Sequence, residues 1–192
     1  MARNRRSNWS PPEPGPKSGS LNSAGELPPG DPAGSARNIM LRKLTAAPRS
    51  RAELAAVLAE RGIPDEVAEA ALDRFVDVGL INDAAYAELL VSSRSVGRGR
   101  RALSEDLRHR GVPDEVAIVA LSELSPEAER AVALTFVRRR LRSSSSLDPQ
   151  VRTRRLVGQL TRRGFAPGLA FAVVREVVGE SPADLDGTVD GD

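Results

Sequence analysis

Residues 54–68, LAAVLAERGIPDEVA, return 49 positions later as residues 103–117, LSEDLRHRGVPDEVA. Leu54, Leu58 and the run from Arg61 to Ala68 match Leu103, Leu107 and the run from Arg110 to Ala117 without a gap, Ile63 standing opposite Val112. A weaker third copy follows at an offset of 53, with Leu156, Leu160, Arg163, Gly164, Phe165, Leu169 and Ala170 at the equivalent places. Self-similarity at a fixed period marks an array of supersecondary units, each of which buries its apolar face only by stacking on a neighbour.

Each copy parses into three helices, A, B and C. In the first, helix A runs from Arg37 to Ala47 and Pro48 stops it. Ser50 and Glu53 form a capping box that opens helix B, which runs to Arg61. Gly62 supplies the left-handed residue that ends helix B, and Pro64 with Asp65 opens helix C. Helix C runs to about Val78 with Val67, Ala70, Ala71, Phe75 and Val78 on one face, and Gly79 ends it. In the second copy Asn82 caps a helix A whose apolar residues include Tyr86, Leu89, Leu90 and Val96, Gly97-Arg98-Gly99 breaks the chain, and helices B (about Arg100 to Arg110) and C (Pro113 to Glu123) follow. In the third, Ser125 and Pro126 open a longer helix A reaching about Arg142, Ser143 to Ser146 connect it to helix B (about Pro149 to Arg163), and helix C covers about Pro167 to Val178. No stretch alternates with period two for long enough to form a strand. The expected fold is therefore all-α, three tandem three-helix repeats over residues 36–81, 82–124 and 125–179.

The flanks differ. Residues 1–35 carry Pro-Pro at 11 and 28, repeated Gly and Ser and no sustained periodicity, and are expected to form a disordered tail. Residues 180–192 are expected to form an acidic disordered tail, with five acids and no base. The chain has no cysteine, which excludes disulfides, thiolate zinc sites and thiol catalysis. No apolar run approaches the roughly 20 residues of a membrane helix, and the N-terminus lacks the apolar stretch of a secretory signal. A cytoplasmic protein with no membrane contact is expected.

Catalytic chemistry finds little footing. His109, the single histidine, lies between Arg108 and Arg110, whose charge repels a metal cation, and is expected at the surface. Asp65, Glu66, Asp114 and Glu115 fall at helix N-termini, where acids complement the helix dipole by roughly 0.3–1 kcal/mol. Gly97-Arg98-Gly99 follows a helix rather than a strand, so it is no nucleotide loop. A non-enzymatic protein with no catalytic residue, metal or cofactor is expected. Phe165 and Phe171 are expected in the core.

The arginines carry the signal. Only Lys17 and Lys43 are lysine, and nine arginines lie between Arg138 and Arg163 against Asp148 alone. Any one of them serves equally well as a solvated helix end. Together, an uncompensated run repels itself unless a partner neutralises it, and that partner is either a phosphate backbone or an acidic protein surface. Aromatics do not interleave the run, which argues against single-strand binding by base stacking.

The sequence resembles the RecX regulatory family, named for its effect on the RecA recombinase. The resemblance rests on Ser50-Arg51-Ala52-Glu53-Leu54, on Gly79-Leu80-Ile81-Asn82-Asp83-Ala84-Ala85-Tyr86-Ala87, on Leu107-Arg108-His109-Arg110-Gly111-Val112, and on the run from Arg154 to Phe165. These cover residues 37 to 179 in family order; Asn82 stands where an acid is commoner, and neither flank belongs to the pattern. The resemblance implies an elongated, curved molecule, expected as a monomer, that lies in the groove of the RecA filament on single-stranded DNA and inhibits filament growth, ATP hydrolysis and strand exchange. Direct contact with single- or double-stranded DNA is also plausible for the family. The partner-binding residues expected are Arg94, Arg98, Arg100, Arg101, Arg108, Arg110, Arg138, Arg139, Arg142, Arg154, Arg155, Arg162 and Arg163, acting as a multivalent clamp. The alternative is a stand-alone DNA-binding protein in which helices B and C act as a helix-turn-helix, and a third option is a scaffold for another acidic protein.

Overall fold

The computed structural model describes residues 30–142 and 148–179. Among the described residues there are nine α-helices and no strand. The first three are α1 (Pro32–Ala46), α2 (Arg51–Glu60) and α3 (Asp65–Asp77). The next three are α4 (Asp83–Arg94), α5 (Arg100–His109) and α6 (Asp114–Ser122), and the last three α7 (Pro126–Leu141), α8 (Pro149–Arg162) and α9 (Pro167–Gly179). The expected connector Ser143 to Ser146, the acidic tail and residues 1–29 of the N-terminal tail lie outside the described residues.

The sequence signals act through identifiable hydrogen bonds. Ser50 and Glu53 form the capping box of α2 in full, Asn82 accepts from the Ala85 amide, and Ser125 accepts from the Ala128 amide. Helix B ends the same way three times. The Ile63, Val112 and Phe165 amides donate to the Leu58, Leu107 and Leu160 carbonyls at 3.1, 3.1 and 3.2 Å, the Schellman closure. Gly62, Gly111 and Gly164 supply the positive φ of 71°, 67° and 85° that it requires. Each closure also buries an apolar side chain, Ile63, Val112 or Phe165, in the same core as the leucine that accepts its amide.

Three separate cores follow. The first gathers Met40, Leu54, Leu58, Leu72 and Phe75 around α1, α2 and α3. The second gathers Tyr86, Leu90, Leu103, Leu107 and Leu121, and the third Val137, Leu156, Leu160, Phe165 and Val174. Each fully buried leucine stabilises by about 1.5–3 kcal/mol relative to exposure, so each core rests on a few side chains and on the stacking described below.

Several local expectations shift. The first helix begins at Pro32 rather than Arg37, because the Asp31 carboxylate caps it by accepting from the Gly34 amide at 2.8 Å. In α3 the buried stripe is Ala68, Leu72 and Phe75, one residue round from the expected face, and Ala70 and Val78 are exposed. Leu89 and Val96 are exposed as well. Phe171 is not core: it is 60% exposed, because Ala170, Val173, Val174 and Val177 form the buried stripe of α9 and Phe171 falls beside it. His109 is exposed, as expected.

Candidate functional site

The B helices α2, α5 and α8 meet end to end, and these meetings join the repeats. The Gly99 amide donates to the Arg163 carbonyl at 2.9 Å, and the Arg101 amide to the Gly164 carbonyl at 3.1 Å. One repeat earlier the Ser50 hydroxyl donates to the Arg110 carbonyl. The unsatisfied amides of one B helix thus face the carbonyl end of the next, which also sets the helix dipoles head to tail.

A second bond recurs at both junctions. The Arg51 amide donates to the Asp83 carboxylate at 2.9 Å and the Arg100 amide to the Glu129 carboxylate at 2.7 Å, each acid lying in the first turn of the next helix A. Gly99 has no room for a side chain, since an added Cβ would come within 2.5 Å of the Gly164 and Phe165 backbone. The string closes at α8. Asp148 lies eight residues before the buried Leu156, whereas Ser50 and Gly99 lie four before Leu54 and Leu103, so α8 is one turn longer. Asp148 caps that extra turn itself, accepting from the Gln150 and Val151 amides at 2.9 and 3.2 Å.

The expected partner-binding arginines divide into two groups. Arg100 and Arg110 are half-buried structural groups. Arg100 donates to the Leu121 and Leu124 carbonyls at the end of α6. Arg110 donates across the first junction to the Glu53 carboxylate and, within its own repeat, to the Tyr86 hydroxyl, both at 2.8 Å. Burial pushes the Tyr86 phenol above its ordinary pKa, and the Glu53 charge adds to the rise. Burial acts to lower the Arg110 pKa, yet Tyr86 and Glu53 carry it above the ordinary value. Arg51, at the position equivalent to Arg100, ties α2 to α3 through Glu69 and Asp73, and those two hydrogen bonds raise its pKa. Arg94 and Arg98 converge on Asp106, each at 2.7 Å. Arg163 donates to the Gly97 carbonyl and lies 4.5 Å from the centre of the Phe136 ring.

The second group faces solvent. Arg101 and Arg108, seven residues apart, share one stripe of α5, and Arg155 and Arg162 do the same on α8. Arg154 stands beside them, and Arg138, Arg139 and Arg142 are exposed at the end of α7. Because α8 abuts α5, the two stripes lie on consecutive members of one string. Two carboxylates carry roles beyond the sequence reading: Glu53, read there only as half of a capping box, also bonds Arg110 across a junction, and Asp106 gathers two arginines. Their partners become visible only once the helices are packed. Among the described residues no cluster of His, Asp or Glu could hold a metal, and no helix is long and apolar enough to cross a membrane.

Residues 36–75 match the family description "RecX, first three-helix domain" and residues 82–121 match "RecX, second three-helix domain". The Regulatory protein RecX of Thermobifida fusca is 48% identical over 164 residues, covering 84% of this chain and 89% of that protein. The chain belongs to the RecX regulatory family. The Streptomyces coelicolor RecX is 46% identical over 161 residues, 83% of this chain and 86% of its own length. The crystal structure of RecX from Lactobacillus salivarius superposes with a TM-score of 0.71 at 20% identity, covering 76% of this chain and 96% of that one. A second RecX crystal structure gives 0.68 at 23% identity over 79% and 74%. The RecX helical-repeat fold is therefore common to these chains, and the relatives carry the name of a regulatory protein rather than of an enzyme.

Proposed function

We propose that this protein binds the RecA filament assembled on single-stranded DNA and restrains its growth, its ATP hydrolysis and its strand exchange. Family membership supports the choice of partner. The observation that carries the mechanism is the pair of exposed arginine stripes, Arg101 with Arg108 and Arg155 with Arg162, on two B helices fixed end to end. Individually such contacts are weak, about 0–1 kcal/mol each for exposed ion pairs. On a rigid array each later contact is intramolecular, so avidity rises without any strong single contact. Arg139, Arg142 and Arg154 extend the contacting set, while Arg100 and Arg110 support it by fixing one repeat on the next.

The helix-turn-helix alternative is weaker. A recognition helix presents its N-terminal residues to the groove, and α3 and α6 present exposed Asp65, Glu66, Asp114 and Glu115 there, which phosphate repels. The deciding experiment is the RecA ATPase on single-stranded DNA with increasing amounts of this protein. Hydrolysis is expected to fall. Unchanged hydrolysis together with tight binding to bare duplex and a steep logarithmic salt dependence would favour the DNA reader instead.

A further inference from the structure

The second repeat carries an apolar furrow that its own fold leaves open. Helices α4 and α6 pack side by side, and on the side away from α5 they enclose two adjoining pockets of about 240 and 470 Å³. Val91, Val116, Val119, Ala120 and Leu124 form the floor and walls. Val119, which lines both pockets, is 64% exposed. A contiguous exposed apolar patch of this kind marks a docking surface.

The rim has one sign. Glu88, Glu115 and Glu123 line the furrow, and none of the three has an ion-pair partner among the described residues. Ser92 and Ser95 add hydroxyl oxygens along the same edge. The chemistry that fits is a cationic segment with one large apolar side chain whose single polar atom is a donor.

The chain contains such a segment outside the described residues. Residues 2–9 carry Arg3, Arg5, Arg6 and then Trp9, with no acid before Glu13. An indole offers a broad apolar body and one N–H donor, which the carboxylates and hydroxyls of the rim can accept. Twenty residues lie between Trp9 and Gly30, a reach of up to about 70 Å when extended, against about 20 Å for the length of α4. Tethering turns the encounter into an intramolecular one, which raises the effective concentration of the segment at the furrow without any added contact. We infer that the N-terminal segment docks in cis on the second repeat, Trp9 seated in the α4–α6 furrow and Arg3, Arg5 and Arg6 facing Glu88, Glu115 and Glu123.

Trp9 is the only tryptophan, so its emission reports on this contact alone. In the full-length protein, emission is expected to be blue-shifted from that of the isolated peptide 1–12, and acrylamide quenching several-fold weaker. Val119→Glu, at an exposed position, is expected to return both to the peptide values with the helical circular dichroism unchanged, and the triple variant Glu88→Arg, Glu115→Arg, Glu123→Arg to do the same through charge. Phe171→Ala, in the separate apolar pocket of the third repeat, is expected to change neither. Peptide-like emission in the wild type would overturn the inference, as would indifference to Val119→Glu. A shift that follows protein concentration would replace the cis contact with a second copy, and a response to Phe171→Ala would place the tryptophan elsewhere.

Discussion

Gly164 and Ala102 stand so close across the second junction that a Cβ built on Gly164 would lie 2.4 Å from the Cβ of Ala102. Gly111 bears the same relation to Ala52 across the first junction, at 2.3 Å, whereas Gly62, at the open end of the string, has nothing within 4 Å. All three glycines have positive φ. One turn therefore performs one task in the first repeat and two in the others.

The three glycines separate backbone strain from junction packing. Gly62→Ala is expected to cost only the left-handed strain, about 1–2 kcal/mol. Gly164→Ala adds overpacking against a neighbouring backbone, typically a further 1–3 kcal/mol. Denaturant unfolding of the two variants checks the difference; equal losses would show that the repeats do not bear on one another at Gly164.

Adjacent arginines are expected to behave oppositely. Arg100→Ala removes a charged donor from two carbonyls at the end of α6 and should lower stability by about 1.5–3 kcal/mol. Arg101→Ala, at an exposed position, should stay within about 0.5 kcal/mol while weakening filament binding. Thermal or urea unfolding beside a filament-binding assay would distinguish them.

The first junction gives a pH signature. The Tyr86 pKa is raised in the folded protein, first by burial and then by Glu53, so the native state holds the phenolic proton more tightly than the unfolded chain does. Its contribution is fully present below the ordinary tyrosine value of about 10 and is lost as pH rises through the folded value. Tyr86 is the sole tyrosine, so the tyrosinate absorbance titrates it alone. A midpoint above about 10 that drops on unfolding is expected, and Tyr86→Phe should remove this alkaline loss of stability.

The sequence made the repeating unit legible because its signals are local. The Leu-x-x-x-Leu spacing, the glycine after the arginine and the apolar residue after the glycine all act within one helix and its closure, and each closure forms as expected. The junctions were not legible. Their bonds join residues 29 to 66 positions apart, as in Arg100 with Glu129 and Arg163 with Gly97, so no local pattern records them. Hence Arg100 and Arg101 look alike in sequence, yet one is tied to carbonyls and the other faces solvent. Phe171 was misplaced for a related reason: its size marks it for a core, but its position on α9 is one residue off the stripe that Ala170, Val174 and Val177 define.

The most direct test of the arginine stripes uses the variant with Arg101, Arg108, Arg155 and Arg162 all changed to Glu, positions exposed on α5 and α8, of which only Arg101 enters a junction and only through its backbone amide. RecA ATPase on single-stranded DNA is measured against increasing wild-type or variant protein, with circular dichroism as the control for folding. The wild type is expected to suppress hydrolysis and the folded variant to leave it unaffected. Full suppression by the folded variant would contradict the assignment of the filament-binding surface to these two helices.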